Sequence, residues 1–538
     1  MKPAKENVAR PEGYSSTEKL ISWARMGWRH VGLFAFPFIS IMSVMVLGGG
    51  MDQLMWPQLF LLDKGSNLWV ARFEPWIREY PSYVAVPFLL VAGFAVDRFG
   101  RTVSMLATLV IALGATALAG LGNSPTYFVL AYGMVVNLLY PLIFGISFIF
   151  IYESTPLKYR LIALLCISLA ENMGSLILGL ATTEAEGLQY DDPRWEGRIS
   201  TIYIVAAVAI ALSIALGLIF TMGRDTILSM VNCTGTSSRA YDLTVAYGRK
   251  NTTEPVPLSR EEYIGNAQVE LAECPSLCST LKGSMIGPFC IMVSAGLINA
   301  ITTKYFLCTY WSVAVNYFGG EDQASLIEMM LCQHGLTMFG VLVAIALYVW
   351  IKDIRFVPAV GYLLVALGCV ICSSVKALDE NGNLLGVSTM PGALTASLGA
   401  CLIVVSALVS VSAIKIMIMD VFPTSCRGRG VFVFVATEYL FMGIEGMLYN
   451  FVRQDRWVSI LQAAIVAAVG VGVFAAFYLT NWFDKSILFR DPELDACWLI
   501  SSKLTNTIPV VGSRDKLRSP MPNTASTSSS AAAAPMSF

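Results

Sequence analysis

Twelve stretches of the chain are each long and apolar enough to cross a lipid bilayer, and nothing else narrows its folding options as far. A hydrocarbon core about 30 Å thick takes roughly 20 apolar residues per helix. Windows of that length fall at 31–50, 80–96, 102–121, 127–152, 161–183 and 199–222, then at 286–311, 328–351, 356–375, 392–419, 431–451 and 457–482. Inside lipid every backbone amide needs a partner within its own segment, so these windows read as helices. The predicted fold is an all-α membrane protein of twelve transmembrane helices in two six-helix halves, 31–222 and 286–482. Residues 1–30, 223–285 and 483–538 form the polar N-terminal segment, central loop and tail. An even number of spans puts both termini on one side.

Charge selects that side. The loops on the terminus side carry Arg98, Arg101, Lys158, Arg160, Lys352, Arg355, Arg427 and Arg429, while the opposite short loops carry few basic residues. Positive charge stays inside, so termini and central loop are expected to be cytoplasmic. The sequons at Asn232 and Asn251 then fall in the cytoplasm and read as chance matches. Ser16 to Arg29 mixes Leu20, Ile21, Trp23, Met26 and Trp28 with charges, which suits a helix on the membrane surface or a plain linker. No apolar run of signal-peptide type precedes the first span. The tail from Gly512 is rich in Ser, Ala and Pro and reads as disordered.

Several function classes drop out. With 56% hydrophobic and 14% charged residues, the chain lies far from soluble composition, and a net charge of -1 offers nucleic acid no basic field. Two histidines, His30 and His334, supply neither a nucleophile–His–acid set nor a histidine metal centre, and there is no phosphate-binding glycine loop. An enzyme, a metal and a cofactor are not expected. Nor is a structural disulfide, since the nearest cysteine motif is the isolated pair Cys274 and Cys278.

The halves repeat each other. After the fourth window the chain reads Glu153-Ser-Thr-Pro156-Leu-Lys-Tyr-Arg160, and after the tenth Asp420-Val-Phe-Pro423-Thr-Ser-Cys-Arg427. Eleven residues beyond each arginine stands a glutamate, Glu171 and Glu438. Parallel halves with such matches imply a pseudo-twofold axis along the membrane normal. A second signature, Gly93-Phe-Ala-Val-Asp97-Arg98-Phe99-Gly100-Arg101, joins windows two and three. Gly93 permits close helix approach, Gly100 a tight turn, and Asp97 with the arginines can latch neighbouring helices. Its counterpart, Lys352-Asp353-Ile354-Arg355, keeps the charge and loses the glycines.

These motifs carry a resemblance. The Gly93–Arg101 stretch resembles the loop 2–3 signature of the major facilitator superfamily. The segment from Asp420 to Gly430 resembles the loop 10–11 pattern of its organic cation/anion transporter and synaptic-vesicle-2-like branch. Residues 240–251 are similar to the branch's cytoplasmic helical insertion. The first external loop, 51–79, is however short and lacks cysteine and sequon, and the acidic motif expected after the last span is replaced by Phe483-Asp484-Lys485. The resemblance implies that spans 1, 4, 7 and 10 line a cavity and that 2, 5, 8 and 11 slide between halves. It implies that Glu171 and Glu438 face each other across the site. The branch's cation-binding acidic position, counted from Arg427, falls on Tyr439.

Depth gives the acids their interest. Eleven residues of helix rise about 16 Å, close to mid-membrane. An ionised glutamate there costs on the order of 2.5–3.5 kcal/mol unless it is wet, paired or protonated. Glu445, two turns beyond Glu438, should approach the outer rim, and Lys304 is a candidate partner for the acids. Asn137, Asn172, Tyr310 and Trp311 are candidate pocket residues, and Gly93, Asp97, Arg98, Gly100, Arg101, Glu153, Arg160, Asp420 and Arg427 candidate cytoplasmic gate residues. The expected function is alternating-access transport of a small organic ion, cationic, by a monomer in the plasma membrane or a vesicle membrane. The alternative is proton-coupled symport of a sugar or other neutral metabolite.

Overall fold

The computed structural model describes residues 16–479 apart from 25–26, 54, 63–79, 123, 183–191, 193, 223, 233–235, 273–285, 312–325, 351–355, 376–389, 423 and 453–455. Loop 352–355, Cys274, Cys278 and the tail lie outside the described residues.

Each window becomes a helix. Span 1 is Trp28–Gln53, span 2 Tyr80–Phe99, span 3 Arg101–Leu121, span 5 Leu157–Thr182 and span 6 Arg194–Thr221. Span 4 is composite: α-helix Pro125–Met134, a π-helical turn Val135–Leu139, and α-helix Tyr140–Ser154. Span 7 likewise joins Ile286–Ile301 to a π-helical stretch, Thr302–Trp311. Spans 8 to 12 are Leu326–Trp350, Phe356–Ser373, Met390–Val421, Arg427–Val452 and Arg456–Leu479. Among the described residues, eleven helices are long and apolar enough to cross a membrane, and span 8 holds a shorter apolar stretch, 334–348, within its 25 residues. This is an integral, multi-pass membrane protein.

The outward faces are greasy by helical period. Val84, Phe88 and Val91 of span 2, and Ile204, Val208 and Leu212 of span 6, form exposed stripes three or four residues apart. In a bilayer such stripes meet acyl chains rather than water. Between the halves, span 2 packs on span 11 and span 5 on span 8, the four helices that the resemblance placed there. Gly93 explains the first contact: a Cβ on it would lie 2.9 Å from the Cα of Arg429 and 3.1 Å from the carbonyl oxygen of Gly428. Only a residue without a side chain lets the backbones meet so closely.

Outside the spans, Ser16–Ala24 is a helix, and three more, Ile227–Asn232, Ser237–Asn251 and Arg260–Ala272, are built from the central loop. The N-terminal helix is not a plain linker, because it packs on the three central helices. Leu20, Trp23 and Ala24 are buried among Met230, Val231, Val245 and Tyr263. The Trp23 indole donates to the Glu254 carbonyl at 3.3 Å, and the Asn251 amide to the Ala24 carbonyl at 3.0 Å. The amphipathic face is real, but the central helices offer it an apolar seat that no local window reveals.

Candidate functional site

The mid-membrane acids come together through intermediaries. Glu171 of span 5 accepts a hydrogen bond from the Tyr140 hydroxyl of span 4. Glu438 of span 11 is 8% exposed and accepts from the Asn299 amide of span 7. Tyr140 and Tyr439 each lie within electrostatic range of both carboxylates, and Tyr362 of span 9 within range of Glu438. One polar group therefore bridges the two halves. The hydroxyls of Tyr362 and of Tyr348, on span 8, are buried and have no hydrogen-bond partner among the described residues. Buried hydroxyls are normally satisfied, so the orphan hydroxyl of Tyr362, within range of Glu438, marks a place for water or a ligand.

Span 4 owes its irregularity to one residue. The Tyr140 N–H reaches the Val135 carbonyl, five residues back, so it no longer serves Val136. The next N–H that could serve Val136 belongs to position 141, which is Pro141 and has none. The carbonyl is left for a donor from elsewhere, and the Tyr439 hydroxyl donates to it at 3.5 Å. A π-turn thus connects span 4 to span 11 beside the acids. The second π-helical stretch begins three residues after Asn299. Such insertions are frequent at functional sites because they re-aim the side chains that follow.

The remaining candidates separate. Asn137 accepts from Ser82 at 3.0 Å and ties span 4 to span 2. Asn172 turns toward span 8: its oxygen lies 3.2 Å from Nδ1 of His334, while its amide donates to the Ser168 carbonyl at 2.9 Å. The Tyr310 hydroxyl donates to Ser459 at 3.2 Å. The side chains of Lys304, Trp311 and Asp420 lie outside the described residues.

At the central-loop face a second network holds the halves together. Glu153 is fully buried and receives Arg101 of its own half at 3.1 Å, Arg427 of the other half at 2.8 Å, and the Thr226 hydroxyl. Arg101 also donates to the Thr424 carbonyl at 2.8 Å. Asp97 accepts from the backbone N–H groups of Gly428 at 2.8 Å and Arg429 at 3.1 Å, and from Arg429 Nε at 3.1 Å. That is the anion-at-a-helix-start geometry, here reaching across the molecule to the first turn of span 11. Gly100 has φ 91, and a Cβ there would stand 2.4 Å from an Asp225 carboxylate oxygen. Asp225 instead accepts from the N–H groups of Arg101 at 2.8 Å and Thr102 at 3.1 Å, capping span 3. Burial pushes the Asp225 carboxyl up, against the pull of Arg101.

Two gate candidates behave otherwise. Arg98 is exposed and stands apart from the network. Arg160 pairs with Glu18 of the N-terminal helix at 3.4 Å and sits over the Tyr152 ring, 4.1 Å from its centroid, while Arg427 sits over the same ring at 4.7 Å. Among the described residues no cluster of three His, Cys, Asp or Glu side chains is placed to hold a metal. Tyr140, Asn299 and Asp225 belong to the site without having been singled out by sequence. A proline after a tyrosine inside an apolar run, and a lone amide in another, were the available signals.

Twelve helices in two pseudo-symmetric halves, with a polar group where the halves meet and an arginine–carboxylate lattice at one face, constitute the major facilitator fold. Solved structures agree: the chain is similar to the proton:xylose symporter XylE of the major facilitator superfamily, bound to 6-bromo-6-deoxy-D-glucose, with 14% identity, a TM-score of 0.62, and coverage of 88% of this chain and 100% of that one. A double-tryptophan mutant of XylE matches with 15% identity and the same TM-score of 0.62, over 87% of this chain and 98% of that one. No family model matches the sequence, and no curated protein matches it.

Proposed function

We propose that this chain is a secondary active or facilitative transporter of the major facilitator superfamily that moves a small organic cation by alternating access. Its halves are 31–222 and 286–482, and its termini and central loop are cytoplasmic, as the loop arginines imply. The observation that carries the reading is Glu438, a buried mid-membrane carboxylate whose described partners, Asn299, Tyr140, Tyr439 and Tyr362, are all neutral amides or phenols apart from the nearby Glu171. A desolvated carboxylate with no cation among its described partners suits a cation from outside. The phenol rings around it suit an ammonium, which aromatic faces attract.

The Glu153 and Asp97 lattice, on this reading, is the cytoplasmic gate, closed here. Rocking of the halves would break Arg427–Glu153 and Arg429–Asp97 together and open the site inward. A second reading is proton-coupled symport of a sugar or other neutral metabolite, with the glutamates carrying only protons; similarity to a proton:xylose symporter favours it. Uptake of labelled tetraethylammonium, p-aminohippurate and D-xylose into proteoliposomes separates the two. Tetraethylammonium uptake that disappears in Glu438→Gln is the expected result. Xylose or hippurate uptake in its place refutes the cation assignment.

A further inference from the structure

Seven residues beyond Glu438 on span 11, about 10 Å further from the central-loop face, stands a second buried acid that the site above does not use. Glu445 is 5% exposed, and its described partner is the side-chain amide N–H of Gln462 on span 12, itself 6% exposed. The Gln462 Oε1 is buried and has no hydrogen-bond partner among the described residues. The titratable groups near this place are Tyr305 and Tyr310 of span 7, both hydrogen-bonded to Ser459 one turn before Gln462, and Glu438 on the same helix, while Tyr83 of span 2 lies against Gly443, about 200° round span 11 from Glu445. No cation partners Glu445 among the described residues.

A carboxylate and an amide placed this way have two complementary arrangements. Ionised, Glu445 accepts the amide N–H and leaves the amide oxygen empty, and the amide orientation in the structure is the one that suits this form. Protonated, it becomes a donor, and the empty oxygen is the acceptor that a half-turn of the amide brings to it. An orphaned buried acceptor beside an acid is thus satisfied by one added proton.

We propose that Glu445 is a proton-binding site, distinct from Glu171 and Glu438, with Gln462 as the side chain that reads its state. The proton comes from hydronium on the side opposite the central loop; its O–H bond passes to the carboxylate oxygen, a water molecule is released, and the new acid donates to Gln462 Oε1. Release to water reverses each step. The role of this site in coupling rests on the transport reading above; proton binding itself does not.

Infrared difference spectra of the full-length protein in phosphatidylcholine vesicles, stepped between about pH 5 and about pH 9, test it directly. Wild type is expected to show a protonated-carboxyl band that Glu445→Gln lacks, that Glu438→Gln keeps, and that Gln462→Leu moves to the frequency of an acid with no acceptor. A band unchanged in Glu445→Gln overturns the proposal. Glu445→Asp, which keeps the acid, guards against misfolding and should restore a shifted band. In proteoliposomes, a gradient of about one pH unit drives about tenfold accumulation at one proton per substrate. With tetraethylammonium or D-xylose as probe, Glu445→Gln is expected to lose that accumulation and to keep counterflow. Continued accumulation overturns the proposal. If wild type carries neither probe, the transport reading has failed, and the infrared result still decides.

Discussion

The two buried acidic regions are opposites. At the central-loop face Glu153 and Asp97 meet arginines from both halves, and their charge is balanced within the protein. Deeper in the membrane the described partners of Glu438 are amides and phenols, and that of Glu445 is an amide. Both regions hold the same chemical group, so burial alone does not assign a role. A counter-cation distinguishes them: the balanced acids join the halves, and on the proposed function those with no cation among their described partners are open to a visiting charge.

The sharpest test of that contrast is Glu153→Ala. It removes the carboxylate that Arg101 and Arg427 share inside the protein, and breaking a buried pair in this way costs about 3–5 kcal/mol. A large fall in thermal stability in detergent is expected, together with loss of uptake. Glu438→Gln should do the reverse. Removing a carboxylate that stands against an insertion penalty of about 2.5–3.5 kcal/mol leaves the melting temperature unchanged or raised while uptake of the substrate disappears. If it melts as early as Glu153→Ala, the contrast fails and Glu438 is a structural group. Gly93→Val comes next. Its side chain meets backbone at 2.9 Å, so spans 2 and 11 must part, at about 1–3 kcal/mol. Cysteine labelling at Phe432, buried beside Gly93, should report that opening through faster modification of Phe432→Cys in the Gly93→Val background. The smallest effect belongs to Glu18→Gln, which keeps a side-chain oxygen to accept from the buried Arg160 and loses only the carboxylate charge of a 3.4 Å pair. The melting temperature should fall, and by less than in Glu153→Ala.

Much of this was legible in the chain. The twelve helices follow from run length, and the pairing of Arg160 with Arg427 and of Glu171 with Glu438 follows from counting along the repeat. Gly93 and Gly100 sit where a close approach and a positive φ demand them. Arg427 reaches Glu153 of the other half, and among the described residues its counterpart Arg160 meets Glu18 of the N-terminal helix, a partner that counting along the repeat does not reveal. Asn172 adjoins Glu171 in sequence yet faces His334, since one residue is about 100° of helix. Asn299 and Tyr140 were hidden for a related reason: which side chains meet across non-adjacent spans is fixed by helix phase, and two π-helical segments shift that phase locally.

Tyr152 holds two guanidinium groups against a single ring, one from each half. Like charges sharing one aromatic seat push against each other, and Glu153 next door in the chain is what subdues that push for Arg427. Any event that neutralises this one acid would therefore do more than loosen a bond: it would leave the Arg427 and Arg160 guanidinium groups at one ring with the Glu18 carboxylate as the described acid against them, and the contact between the halves is expected to weaken.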